Sequence, residues 1–201
     1  MQILFADDHL LFRESMEIWL HQELSGLHIH HAASFDEVIA RFPSHSPFDL
    51  IVLDLNMPGM HGVLSVASIC KQSHPSPVLI LSAACNPLTM HLCLTSGAAG
   101  YATKSSDGTV TMEAIRTLLR GEQYIPPELK QARELPRMSA KKLELLAALA
   151  NGESNQQIAT RLYLSEGSVK QYISKILRIL EVDNRTQASI KAREILGIGG
   201  S

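Results

Sequence analysis

The stretch Phe48-Asp-Leu-Ile-Val-Leu-Asp-Leu-Asn-Met-Pro-Gly59 decides the fold of this chain. Its apolar run Leu50–Leu53 has the unbroken hydrophobicity of a parallel strand buried on both faces. Asp54 falls where that strand should end, just ahead of a Pro-Gly turn. A second run, Gln2 to Ala6, also ends in acids, Asp7-Asp8. Open parallel sheets gather ligands at the carboxyl ends of their strands, so three carboxylates are expected in one crevice. Crowded carboxylates repel one another and recruit a hard cation such as Mg2+. A carboxylate beside such a cation is suited to accept a phosphoryl group.

Further apolar runs at His28–Ala32, Val78–Leu81 and Gly100–Thr103 read as strands. Helix-like segments near 10–23, 35–42, 60–73 and 87–96 separate the strands, and another at 108–120 follows the last. This alternation predicts a doubly wound, five-stranded parallel sheet with helices on both faces. Gly121 should end the last of these helices, and Tyr124-Ile-Pro-Pro127 cannot continue one, so a linker over 122–137 is expected. After Pro136 the pattern is all helical, dividing the chain into domains at 1–121 and 138–201. In the second domain Ser139, Ser154 and Ser165 stand at N-cap positions. Ser154 with Gln157, and Asn184 with Gln187, fit the capping-box spacing. Asn151-Gly152 should stop the first of the four helices, and Gly197 the last.

Composition narrows the class. At 201 residues and 45% hydrophobic, the chain can bury two cores. No apolar run reaches the ~18 residues of a membrane helix. The N-terminus reads as strand rather than signal peptide, and the expectation is a cytoplasmic protein with no membrane partner. Cys70, Cys85 and Cys93 lack metal spacing and read as reduced, mostly buried thiols. The net charge of −2 hides an asymmetry: residues 1–121 carry 6 Lys and Arg against 11 Asp and Glu, the remainder 12 against 9. An acidic half and a mildly basic half suggest separate tasks.

Each acid has a plainer use. Asp7 or Asp8 can cap the helix that follows, and Asp54 can start the Asn-Met-Pro-Gly turn. For any one alone the structural use is favoured. The combination is different, because Ser82 and Lys104 directly follow two further strands. Acid, acid, hydroxyl and amine at four strand ends is a chemical constellation.

Phe5-Ala-Asp-Asp-His-Leu-Leu-Phe-Arg13, Leu53-Asp-Leu-Asn-Met-Pro-Gly59, Leu81-Ser-Ala83 and Gly97-Ala-Ala-Gly-Tyr-Ala-Thr-Lys104 resemble the receiver domain of two-component response regulators. The resemblance implies a flavodoxin-like fold and a phosphoryl group taken by Asp54 from a sensor histidine kinase. It implies Mg2+ held by Asp8, Asp54 and the backbone carbonyl of Asn56, with Asp7 helping through water. Lys104 would pair with the phosphoryl oxygens and Ser82 would hydrogen-bond to them. Tyr101 would be the switch aromatic, although by itself it reads as a half-buried strand residue. The sequence departs from the family at His61, where Asp is frequent, and at Ser105, where many receivers have Pro. A cis bond is costly without proline, so the loop after Lys104 is not fixed by the resemblance. His28, His30 and His31 alternate across a strand and are poorly arranged as a metal cluster.

In the second domain Val169, Ile173, Ile176, Leu177 and Leu180 make one apolar helix face. Lys170, Gln171, Ser174, Lys175 and Arg178 fill the other, which alone would signify only solvation. After a short helix and a tight turn, it reads as a helix-turn-helix recognition element. Gly152 through Lys170, and Val182-Asp-Asn-Arg-Thr-Gln-Ala188, resemble the LuxR/NarL-type four-helix DNA-binding domain. By match to that family Lys170, Gln171 and Ser174 face bases, while Lys175 and Arg178 suit phosphates. Met138-Ser-Ala-Lys-Lys142 departs from the family by placing Lys142 where a capping acid is usual. Ala188, Ala192 and Ile195 form a face that the family would use for dimer contact and that an ordinary core would explain equally well.

The reading is therefore a non-enzymatic transcription regulator that dimerises on phosphorylation and binds paired half-sites of double-stranded DNA. The nearest rival is an atypical regulator controlled by ligand, partner or abundance. A phosphohydrolase would need a second acid two residues after its nucleophile, where this chain has Asn56. A phosphorelay module without DNA contact is the third alternative.

Overall fold

The computed structural model describes residues 1–42, 47–131 and 138–196. The chain divides into two compact units, Met1–Arg133 and Glu134–Ser201. The first alternates strands and helices: β1 Gln2–Ala6, α1 Leu10–Glu23, β2 His28–Ala32, α2 Phe35–Arg41, β3 Leu50–Leu53, α3 Val63–Ser73, β4 Val78–Ser82, α4 Pro87–Thr95, β5 Gly100–Thr103, α5 Gly108–Leu119 and α6 Pro127–Gln131. The five strands form one parallel sheet in the order β2-β1-β3-β4-β5. The chain winds outward from β1 in both directions, so the strand order reverses between β1 and β3. That reversal opens a crevice above their carboxyl ends, where Asp7 and Asp54 follow the last residues of the two strands.

The sheet's side chains alternate between two helical layers. Ile3, Phe5, Leu50, Val52, Leu79, Leu81 and Ala102 pack with Leu20 of α1 and with Met112, Ala114, Ile115 and Leu118 of α5. All of β3 is buried, as its unbroken apolar run predicts. Two differences from the expected boundaries bear on the site. The helix expected from residue 60 begins at Val63, because Met60 closes a turn on Met57 O and His61 N donates to Ser65 Oγ. Strand β4 runs one residue further than expected and includes Ser82, which pairs with Thr103 of β5.

Beyond Gly121, which ends α5 with φ +80°, the chain stays with the first unit. Tyr124 is buried, its N–H donates to Ala99 O at 3.0 Å, and it bridges Gly100 in parallel fashion. Part of the segment expected as linker is thus core, and Pro127–Gln131 forms a short helix. A Cβ on Gly100 would meet Leu118 Cδ1 at 2.9 Å and Leu79 Cδ1 and Tyr124 Cβ at 3.2 Å. Gly100→Ala is therefore expected to destabilise the first unit by about 1–3 kcal/mol through overpacking, read as a lowered urea midpoint. An unchanged midpoint would show that the three neighbours yield without strain.

The second unit is helical: α7 Ala140–Ala150, α8 Asn155–Leu162, α9 Glu166–Ile179 and α10 Arg185–Leu196. Leu145, Leu146, Ile158, Val169, Ile176, Ala188, Ala192 and Ile195 are buried together as its apolar centre. Ala188, Ala192 and Ile195 are thus used in this unit's own core. The Ser154 and Gln157 capping box is complete, and Ser165 Oγ accepts from Ser168 N at 3.1 Å. The Asn184 box is displaced: Asn184 Oδ1 accepts from Gln187 N, but Gln187 Oε1 accepts from Asp183 N instead. Ser139 occupies the N-cap of α7 in extended conformation but makes no side-chain cap bond. Its N3 partner is Lys142, which has no acceptor with which to complete a box. The stop expected at Gly197, and positions 132–137 of the expected linker, lie outside the described residues.

Candidate functional site

Two places in the fold concentrate chemistry, and each lies within one unit. In the first unit, parallel pairing brings the ends of β1, β3, β4 and β5 to one rim. Asp7 N donates to Ala32 O at 3.0 Å, Asp54 N to Ala6 O at 2.9 Å and Lys104 N to Ser82 O at 2.9 Å. These main-chain bonds continue the ladder one residue past the strands and fix where the three side chains start. Asp7 is 1% exposed, Asp54 2% and Ser82 0%.

Lys104 Nζ lies 2.6 Å from Asp7 Oδ2 and 2.8 Å from Asp54 Oδ2, joining two strand ends through one ammonium. The same Nζ sits 4.9 Å from the centre of the Phe12 ring, on the first turn of α1. Burial holds the Asp54 carboxyl above the ordinary carboxylate range, although the Lys104 ammonium pulls it down. Burial alone would lower the Lys104 ammonium, but Asp54 and Asp7 outweigh it and hold its pKa above the ordinary lysine value. The two rises have different causes, burial for the acid and the neighbouring carboxylates for the base. Asp54 is the deeper group and bears more desolvation, while Lys104 reaches partly into solvent between two anions.

Ligating atoms of Asp7, Asp8, His9 and Asp54 all lie within 4.8 Å of one another. Asp54 Oδ1 is buried without a hydrogen-bond partner among the described residues. An unpartnered anionic oxygen, with two further carboxylates beside it, fits a hard cation such as Mg2+. His9 was not anticipated. Its N–H donates to Asp7 Oδ1 at 2.9 Å, and its Nδ1 lies 2.9 Å from Asp8 Oδ1 and 3.2 Å from Asp7 Oδ1. Arg13 was likewise missed; its Nη1 donates to Asp7 O. Both follow Asp7-Asp8 within five residues, so the stretch Asp7–Arg13 held the signal. Asp7 Oδ1 accepts from the backbone of His9, itself the N-cap of α1, so the expected use of Asp7 or Asp8 as the helix cap is not realised.

The rest of the rim is arranged for coupling. Tyr101 is fully buried on β5, and its phenol donates to Ala84 O at 2.6 Å, two residues beyond Ser82. Burial pushes the phenol pKa far up, so it remains a donor. Ser82 Oγ accepts from Ala84 N at 3.3 Å. Tyr101 and Ser82 thus grip the same short loop. After Lys104, His74–Pro75 being the only cis peptide among the described residues, the Lys104–Ser105 bond is trans. That loop is closed by Thr103 Oγ1 on Ser106 Oγ at 2.5 Å and Ser106 N on Thr103 O at 3.0 Å. Asn56 and His61 are exposed, with His61 outside the acidic cluster. The strand histidines part ways: His30 to Gln2 Oε1 at 2.7 Å, His31 to Glu17 Oε2 at 2.9 Å and His28 to Leu27 O at 3.0 Å. Of the three free cysteines Cys93 is buried, whereas Cys85 is exposed against expectation, because the loop beyond Ser82 turns outward.

In the second unit, α8 and α9 are joined by a left-handed turn at Tyr163. Val169, Ile173, Ile176 and Leu180 of the α9 segment are buried, and Leu177 is half-buried. Lys170, Gln171, Ser174, Lys175 and Arg178 are all exposed, so the amphipathic division expected from spacing holds residue by residue. Ser174 Oγ donates back to Lys170 O at 3.0 Å, and Lys175 Nζ lies 5.9 Å from the Tyr172 ring. No acidic side chain lies between Gly167 and Leu180. Glu153 pairs with Arg161 at 3.0 Å, on α8.

Residues 3–125 match the family described as the response regulator receiver domain, and residues 136–192 that of the bacterial regulatory proteins, luxR family. The chain is 35% identical over 211 residues to the glycerol metabolism activator of Pseudomonas putida, covering 96% of each. It is 31% identical over 201 residues to the response regulator protein VraR of Staphylococcus aureus, again covering 96% of each. Among solved structures it is similar to RcsB of Salmonella enterica serovar Typhimurium bound to promoter rprA with the phosphomimetic BeF3−. That match has a TM-score of 0.68 at 20% identity, over 97% of this chain and 99% of that one. The response regulator ChrA of a heme-sensing two-component system aligns at 26% identity and TM-score 0.51, over 96% of each chain. No helix among the described residues is long and apolar enough to cross a membrane.

Proposed function

The chain belongs to the response regulators that join a receiver domain to a luxR-family DNA-binding domain, and from that premise we propose that phosphorylation of Asp54 controls its DNA binding. One observation carries the reading: Asp54 offers a buried, unpartnered Oδ1 while its Oδ2 is held by Lys104. That oxygen is the nucleophile, and the phosphoryl group comes from the phosphohistidine of a sensor histidine kinase. Phosphoryl transfer spreads charge over the moving oxygens, so the protein's task is positioning and charge complementarity. Lys104 turns from the carboxylates toward the incoming phosphoryl oxygens without leaving the pocket. Ser82 Oγ donates to another, giving up its bond from Ala84 N. Asp8, Asp54 and the carbonyl of Asn56 would hold Mg2+, with Asp7 behind them, and the cation when bound would supply positive charge to offset that of the phosphoryl oxygens.

The output lies on α9. Lys170 and Gln171, with Ser174, read base edges in the major groove, and Lys175 and Arg178 contact phosphates. Loss of one base reader should cost roughly 1–3 kcal/mol of specific binding. The protein acts in the cytoplasm as a regulator without turnover of its own. Phosphorylation shifts it toward a homodimer on paired half-sites of double-stranded DNA. A shift from about 1:99 to 99:1 requires roughly 5.5 kcal/mol of difference between the two states.

Genome-wide footprinting of wild type against Asp54→Ala tests input and output together. Sites occupied by wild type should empty in the variant once the kinase is active. Equal occupancy would leave the DNA-binding role and remove phosphorylation as its control.

A further inference from the structure

We infer that Tyr163, in the turn between α8 and α9, is a contact to the DNA sugar-phosphate backbone, apart from the α9 residues already assigned. This inference rests on the DNA-binding reading and adds to it a residue outside the recognition helix.

Tyr163 is 96% exposed, the most exposed large apolar side chain among the described residues. Its backbone is left-handed, φ 53° and ψ 48°, at the carboxyl end of α8. Leu164 N donates to Ala159 O at 2.9 Å and Tyr163 N to Thr160 O at 3.4 Å, the bonding of a Schellman turn. Glycine is the residue that such a turn favours, since any Cβ there meets steric opposition. The chain thus holds an aromatic residue where its own backbone would be better served by none, and leaves the ring in water. Neither choice contributes to this unit's stability. Glu181 is the other non-glycine residue of positive φ among those described, and a charged side chain there is satisfied by water.

Position identifies the ligand. Tyr163 stands three residues before Glu166, at the amino end of the helix whose exposed face carries Lys170 and Gln171. In a helix-turn-helix unit that end of the second helix enters the major groove, and what precedes it passes over the backbone beside the groove. Lys141 Nζ lies 3.5 Å from Leu162 O, placing a positive charge next to the turn. Between Ser154 and Leu180 there are four basic residues and one acid, Glu166. A phenol in that setting donates to a phosphate oxygen while its ring lies against deoxyribose, a contact that fixes register and carries no sequence information.

Because the contact is indifferent to sequence, no operator is needed to test it. The probe is a mixed-sequence duplex of about three helical turns, titrated over a range of salt with the full-length protein after phosphorylation by acetyl phosphate and Mg2+. Tyr163→Gly keeps the left-handed turn and removes the ring. It should weaken binding about five- to tenfold, with melting temperature unchanged or higher. Tyr163→Phe should recover part of that loss. Neither variant should change the slope of log K against log salt, since no charge is lost. Lys175→Ala should lower that slope by about one. If Tyr163→Gly binds within twofold of wild type while Lys175→Ala binds more weakly, the Tyr163 contact is refuted and the DNA reading stands. If wild type does not bind the duplex, or Lys175→Ala binds as well as wild type, the DNA reading fails and the contact with it.

Discussion

Asp54→Asn is expected to take up no phosphoryl group from acetyl phosphate under conditions in which the wild-type protein is labelled. The argument is geometric. The only acid of the pocket with a buried, unpartnered oxygen among the described residues is Asp54, through Oδ1. Asp7 already accepts from His9 N through Oδ1 and binds Lys104 through Oδ2. Asp8 is a third exposed and sits against His9. An amide at position 54 is isosteric, leaves the β3 end in place and cannot form an acyl phosphate. Intact-mass measurement after incubation with acetyl phosphate and Mg2+ reads the result directly. Label recovered on Asp54→Asn at the wild-type level would move the acceptor elsewhere.

Lys104→Ala should produce the largest change in stability. It removes the one ammonium that lies within 3 Å of both Asp7 and Asp54, whose side chains are 1% and 2% exposed. A buried pair broken from one side leaves uncompensated charge, a cost of about 3–5 kcal/mol, and here two anions are left to repel each other. The metal-free variant should therefore melt well below wild type at neutral pH. Mg2+ should raise its melting temperature more than it raises that of wild type. In wild type the cation enters a site where Lys104 already supplies positive charge; in the variant no ammonium contacts the two carboxylates and the cation takes that place. Phosphoryl uptake in saturating Mg2+ should still fall by roughly 10²–10³-fold, the usual cost of losing one group that complements transition-state charge. Equal Mg2+ stabilisation of the two proteins would show that Lys104 and the cation do not share the carboxylates.

The pocket was legible because parallel strands align their ends. Once Leu50–Leu53 and Gln2–Ala6 read as neighbouring strands, the acids after them had to meet, and Ser82 and Lys104 came to the same rim by the same rule. The α9 face was legible because helical period separates Val169, Ile173 and Ile176 from Lys170, Ser174 and Lys175. What was not legible depends on where side chains go after the backbone is placed. Nothing in the spacing says that Phe12 lies beneath the Lys104 ammonium, or that the His9 ring turns toward Asp8. Ser139 shows the reverse failure: residue type promised a cap bond, but Lys142 N donates to the Ser139 carbonyl and not to its hydroxyl. Tyr124 reads as linker because two prolines follow it, yet a single aromatic residue can fill a core position without belonging to any periodic run.

Tyr124 also bears on how the first unit can be isolated. Strand β5 is the last in the sheet, and a free sheet edge invites pairing with another chain. The bridge from Tyr124 to Gly100 covers the beginning of that edge, and Tyr124 Cβ lies only 3.2 Å from where a Cβ on the glycine would stand. A fragment ended at Gly121 would uncover both the edge and an apolar hollow, and should self-associate. One ended at Gln131 keeps the cover and should remain monomeric in its unphosphorylated state.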